Sequence, residues 1–230
     1  MRTIKEIRNL FAEKYASEDF VEDKNGGKVI ELIGESFIAD EPSIFDKVNE
    51  DYVKKELEWY LSQSLNVYDI PNTPKIWKMV SSPEGLINSN YGWCLFSKSN
   101  YSQYSSALAM LVKDKYSRRA SMVYTRPSIQ QEYSKGGMDD FICTNAVTYF
   151  IRGNSLDCVV QMRSNDVWAG YRNDYAWQSY VLDKMVTDLR EKYKDLTRGN
   201  MVWNSANLHI YEKQFRFLTK YKTESFNEYS

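Results

Sequence analysis

Apolar positions in this chain recur with two different periods. Along MRTIKEIRNLFAEKY the apolar residues are spaced among charges as an amphipathic helix requires. Between Glu50 and Ser64, Val53, Leu57, Tyr60 and Leu61 fall at i, i+4, i+7 and i+8, which predicts a second helix with Glu56 beside its apolar stripe. Pro71 and Pro74 then punctuate the chain, and Ile76–Val80 reads as a short apolar turn before the loop around Pro83 and Gly85. Tyr101–Lys113 is expected to be helical and Ser121–Thr125 extended. From Asp140 to Ser164 two β-like runs, FICTNAVTYFI and LDCVVQMRS, flank Arg152-Gly153-Asn154-Ser155, whose Gly-Asn centre suits a tight hairpin. A helix is expected from about Asp174 to Leu189, and a last strand over Met201–Tyr211. Helices and strands intersperse without βαβ alternation, so the fold class is α+β with a mostly mixed or antiparallel sheet.

A hairpin closed at Gly153–Asn154 fixes which residues face one another. Counting outward sets Arg152 opposite Ser155 and Cys143 opposite Ser164, with Arg163 one step away. A thiol, a hydroxyl and a guanidinium would then converge at one end of the hairpin, where a cysteine could attack a substrate whose anionic tail the arginine holds.

Composition narrows the field. With 230 residues, 43% of them hydrophobic, the chain can bury one substantial core, so a single domain over 1–230 is expected. A net charge of -1, from 30 basic and 31 acidic residues, gives no global field to draw the protein onto nucleic acid, so any phosphate must be met locally. The charged N-terminal stretch is unlike a signal peptide, and no segment is long and apolar enough to span a membrane. Cys94, Cys143 and Cys158 are an odd count without CxxC spacing, which argues against a disulfide scaffold or zinc site and for a reducing compartment. A cytoplasmic enzyme fits, in the host cytoplasm if the source is viral.

Seven segments carry a more specific signal: ELEWYLSQS (56–64), PKIWKMV (74–80), NSNYGW (88–93), SRRASMVYTRPS (117–128), DDFICTNAVTYFI (139–151), MRSNDVWAGYRNDYAW (162–177) and NLHIY (207–211). Read in order they resemble the thymidylate synthase family, and within it the branch of cytosine-specific phage hydroxymethylases. The resemblance implies a thymidylate synthase-like fold with a large mixed sheet flanked by helices, and a sheet-to-sheet homodimer with shared active sites. It implies 5,10-methylenetetrahydrofolate as co-substrate, dCMP as substrate, and no metal. Cys143 becomes the nucleophile. Arg163 and Ser164 become phosphate ligands, Arg118 and Arg119 phosphate ligands given across the dimer, and His209 and Tyr211 sugar ligands. Glu56 manages protons and water, Tyr91 lines the site, Trp77 and Asp166 belong to the folate pocket, and Asp174 reads the base. Lys24 stands where the family usually carries another phosphate-binding arginine, whose bidentate contact lysine cannot reproduce.

Two departures point to cytosine. Cys143 sits in Ile142-Cys143-Thr144, where thymidylate synthases usually have proline before the nucleophile and histidine after it, and Asp174 replaces their asparagine. Three functions therefore compete: a dCMP hydroxymethylase, a dUMP enzyme that hydroxymethylates or methylates, and an inactive relative kept for nucleotide or RNA binding. Asp174 also has an ordinary explanation, since an acidic residue at a helix start complements the helix dipole.

Overall fold

A computed structural model describes residues 1–227. The elements run α1 (Ile4–Ala16), β1 (Val21–Glu22), β2 (Lys28–Ile38), α2 (Glu50–Ser62), α3 (Lys75–Val80), α4 (Tyr91–Phe96), α5 (Gln103–Lys113), β3 (Ser121–Val123), α6 (Ile129–Glu132), β4 (Thr144–Arg152), β5 (Ser155–Met162), β6 (Asn165–Asp166), α7 (Ala169–Leu189), β7 (Thr197–Tyr211) and α8 (Arg216–Asn227). They form two compact units, each built from separated stretches of chain.

The first unit gathers Met1–Val48, Gln161–Tyr180 and the chain from Asn200 onward. Its sheet is mixed, as expected: β2 pairs antiparallel with β1 and β7, and β6 runs parallel to β7. Helix α1 begins with a capping box between Thr3 and Glu6 and buries Ile4, Ile7 and Phe11. Phe37, Tyr171 and Trp203 extend that core, with ring centroids 5.9 and 5.1 Å apart in sequence.

Strand β2 escaped the sequence reading for a physical reason. Its doublets Val29-Ile30, Leu32-Ile33 and Phe37-Ile38 match neither a period of 2 nor one of 3.6, yet its register against β7 is the same from Val29–Tyr211 to Ile38–Val202. Helix α7 starts five residues earlier than expected, because Asp166 caps it: Oδ1 accepts from the backbone N–H of Trp168 at 2.6 Å and of Ala169 at 3.1 Å.

The second unit comprises Asn49–Val160 and Val181–Gly199. Strands β3, β4 and β5 lie side by side, with Ser121 opposite Thr148. The hairpin turn lies at Gly153–Asn154 as expected, with Gly153 at φ 58°. The strands stop short of the residues of interest, however. β4 begins at Thr144 and β5 ends at Met162, so the ladder includes neither Cys143 nor Ser164. Ile76–Val80, expected as a turn, lies in a short helix whose Ile76 and Met79 are exposed. Among the described residues no helix is long and apolar enough to cross a membrane.

Candidate active site

Helix α2 shows how an acid is brought inside. The face it buries carries Glu56, Trp59 and Tyr60, whereas Leu61 of the expected stripe is exposed. The inward face is therefore turned toward Glu56, which has moved from beside the stripe to its centre. Tyr52, one turn earlier, donates from Oη to Glu56 Oε1 at 2.8 Å. Trp77 Nε1, from α3, is 3.1 Å from both Glu56 Oε1 and Tyr52 Oη. Burial pushes the Glu56 carboxyl up to about 7, against these two donors, which favour its ionised form. A cavity of about 380 Å³ opens beside the cluster, walled by Tyr52, Glu56, Ile70, Pro71, Pro74 and Trp77.

This placement costs stability. Unfolded, Glu56 ionises near its ordinary value of 4.5, whereas folded it holds its proton to about 7. The unfolded state thus binds fewer protons between those values, and stability falls as pH rises through that window. Glu56→Gln is expected to gain up to about 3 kcal/mol over the parent at pH 8, a gain that shrinks toward zero near pH 4.5. Urea unfolding at the two pH values measures it, and an equal difference at both would show that Glu56 is not held protonated.

An aromatic run leads from Glu56 to Tyr91. Trp77 packs edge-on to Trp59 with centroids 5.1 Å apart, Trp59 adjoins Tyr60 at 5.3 Å, and Tyr60 stacks on Tyr91 at 5.2 Å. The NSNYGW motif makes this approach possible. Asn90 caps α4 by accepting from Trp93 N–H and donates to the carbonyls of Trp59 and Ser64. A Cβ on Gly92 would lie 1.7 Å from the Tyr60 carbonyl oxygen, so only glycine lets α4 reach α2.

Asp140 ties the same motif to the loop that ends in Cys143. Its carboxylate accepts from the backbone N–H of Asn88 and Ser89 and from Ser89 Oγ, all within 2.8 Å. Cys143 is half-buried at the foot of β4, where its thiol faces the Phe141 carbonyl at 3.8 Å. The other two cysteines differ: burial pushes Cys94 and Cys158 up to about 12, where they stay as inert thiols. Arg118 and Arg119 are exposed between α5 and β3, and neither forms an ion pair among the described residues.

The first unit assembles a second group of the expected residues. Asp166 and His209 are paired positions of β6 and β7, and the His209 ring meets Tyr211 edge-on at 4.9 Å. His209 Nδ1 contacts Asn207 Oδ1 at 3.0 Å. Burial lowers the imidazole's pKa; Asp166 and Glu31 pull it up, and the Arg163 charge pushes it down. Arg163 and Ser164 are half-buried just ahead of β6. Asp166 is fully engaged through its two oxygens, since Oδ2 also accepts from Gln214 at 3.1 Å. Lys24 is exposed on the Asp23–Gly27 turn.

Asp174 is the sixth residue of α7, which rules out a helix-start role. Its Oδ2 accepts from Asn165 Nδ2 at 2.8 Å. Sequence reasoning missed Tyr52, Asp140 and Asn165 as site supports. The first had a usable signal in its i−4 spacing from Glu56, and the third adjoins a predicted phosphate ligand.

The thymidylate synthase family profile matches residues 44–227. The chain belongs to the thymidylate synthase family. Within that family, it is 53% identical over 216 residues to the deoxycytidylate 5-hydroxymethyltransferase of Enterobacteria phage T4, covering 93% of this chain and 88% of that protein. The phage T6 enzyme of the same name matches at the same identity and coverage. A thymidylate synthase of Francisella philomiragia is 29% identical over 176 residues, or 72% of this chain and 62% of that protein.

Proposed function

We propose that residues 1–230 form one catalytic domain, a deoxycytidylate 5-hydroxymethyltransferase that places a hydroxymethyl group on carbon 5 of dCMP. The observation that carries this reading is the 53% identity, over nearly the whole chain, to phage enzymes of that name. The phage origin of those relatives supports action in the host cytoplasm, and the near-zero net charge supports a free nucleotide rather than a nucleic acid as substrate.

Cys143 adds as thiolate to carbon 6 of the pyrimidine, and the new C–S bond makes carbon 5 nucleophilic. Methylenetetrahydrofolate supplies the one-carbon unit. The cavity beside Trp77 suits a flat heterocycle, with indole, Ile70, Pro71 and Pro74 for its faces and Glu56 at a polar edge. Carbon 5 bonds to the transferred carbon and loses its proton, and the bond from that carbon to the folate nitrogen breaks to release tetrahydrofolate. Water then adds to the exocyclic methylene carbon left on the base. Glu56, poised near 7, takes a proton from that water. Breaking the C–S bond then frees Cys143 and restores the aromatic ring. Arg163 and Ser164 hold the phosphate, with Lys24 as a further cation, while His209 and Tyr211 take the sugar. Tyr91 lines the site, and Asp166 sits at the folate pocket while capping α7. Because water rather than hydride completes the reaction, product should accumulate with tetrahydrofolate. A stoichiometric absorbance rise from dihydrofolate would identify a methylating enzyme instead.

Arg118 and Arg119, exposed and without an ion pair among the described residues, support a sheet-to-sheet homodimer in which each subunit lends both guanidiniums to its partner's phosphate site. Arg119→Ala and Cys143→Ser homodimers should both be inactive, whereas their verified heterodimers should recover activity, since one of the two sites regains every group. No recovery would rule out shared sites.

A further inference from the structure

Asn165 is 2% exposed and opens β6, where pairing with Leu208 of β7 fixes its backbone. Its Nδ2 donates to Asp174 Oδ2 at 2.8 Å, while its own Oδ1 is buried without a hydrogen-bond partner among the described residues. Gly170 lies over this contact. A Cβ there would come within 3.3 Å of Asn165 Nδ2 and 3.9 Å of Asp174 Oδ2, so the absent side chain leaves the pair undisturbed. Burial matters because a buried polar group cannot exchange a lost partner for water. The donor at Asn165 therefore requires an acceptor at the Oδ2 position, whatever residue supplies it.

We propose that Asn165 is a positioning residue for specificity: it fixes the donor and acceptor order that residue 174 presents to the edge of the pyrimidine. This inference rests on Asp174 being the base reader. With Asp174 ionised, Asn165 holds Oδ2 as an acceptor, and the carboxylate accepts from the 4-amino group and from a protonated ring nitrogen 3 of cytosine. In Asp174→Asn, the same donor selects the amide carbonyl for the Oδ2 position and leaves the amide nitrogen at the other. The single variant thus carries a pre-set order, carbonyl toward ring N–H and amine toward the 4-oxo group, which matches uracil. Reversing the partner reverses the order: in Asn165→Asp with Asp174→Asn, the new carboxylate selects the amide nitrogen for that position. Donor and acceptor are exchanged, and cytosine is the match again.

The test measures kcat/KM for dCMP and dUMP in Asp174→Asn, in Asn165→Asp/Asp174→Asn and in Asn165→Ala/Asp174→Asn, each checked for folding by thermal melting. The first should favour dUMP, and the second should move the dCMP/dUMP ratio back toward dCMP by about 10²-fold or more, because unpaired buried groups dominate such discrimination. The alanine double variant leaves the amide free to turn, so its ratio should fall between the two. It carries the test alone if the aspartate double variant does not fold. A purely structural Asn165 would change both substrates equally. If Asp174→Asn favours dUMP and the double variants that fold keep the same ratio, the positioning role is overturned while the base reader stands. If Asp174→Asn leaves the ratio unmoved, the base reader itself fails.

Discussion

Cys143→Ser is expected to lower turnover by about 10⁴-fold or more while leaving dCMP affinity within a few-fold of the parent. A serine hydroxyl is far too weak an acid to supply an anion at the half-buried foot of β4, and without the C–S bond carbon 5 of the ring is inert. Affinity should survive because the proposed phosphate and sugar contacts come from other residues. Equilibrium binding of dCMP alongside single-turnover rates separates the two effects. Normal turnover would remove Cys143 from the mechanism, and loss of binding in step with rate would make its role structural. Cys94→Ser and Cys158→Ser serve as controls, since those thiols are buried and inert.

Asp174→Asn should move the kcat/KM preference from dCMP toward dUMP by an amount on the order of 10⁴-fold, because a mismatched buried edge leaves polar groups on both sides unpaired. Cytosine offers an acceptor at ring nitrogen 3 and a donor at its 4-amino group, and uracil offers the reverse. A carboxyl can satisfy the first pattern by sharing a proton with the ring nitrogen, and a suitably turned amide satisfies the second. The interior position of residue 174 in α7, with Asn165 bound to one oxygen, gives the substitution no helix-capping consequence to confuse the result. A variant that keeps the parental dCMP preference would show that Asp174 does not read the base.

Much of this was legible in the chain. The hairpin centre was fixed by Gly153-Asn154 alone, because few dipeptides tolerate so tight a turn, and helices α1 and α2 declared themselves by period, whereas α8 had no reading at all. Legibility failed where tertiary context decided. The doublets of β2 carry no clean period, and its strand identity comes from pairing with β7 some 170 residues away. The start of α7 depended on a cap three residues upstream, hidden behind a motif already given another role. Glu56 is the instructive case at the site: a charged residue beside an apolar stripe is ordinarily surface, and only Tyr52 and Trp77, donating to one of its oxygens, make its burial tolerable. The roles proposed for the site residues rest on motif order. Their supports were not legible: Asp140 bonds to Ser89 across fifty-one residues, and Asn165 meets Asp174 only because β6 and α7 fold back on one another.

The central claim is that this member of the thymidylate synthase family adds a one-carbon unit and water to a cytosine nucleotide. Mass spectrometry of the nucleotides formed from an equimolar mixture of dCMP and dUMP with methylenetetrahydrofolate tests it most directly. dCMP should gain one carbon, two hydrogens and one oxygen, as 5-hydroxymethyl-dCMP, with dUMP largely unconsumed. Methylated dUMP as the main product would contradict it.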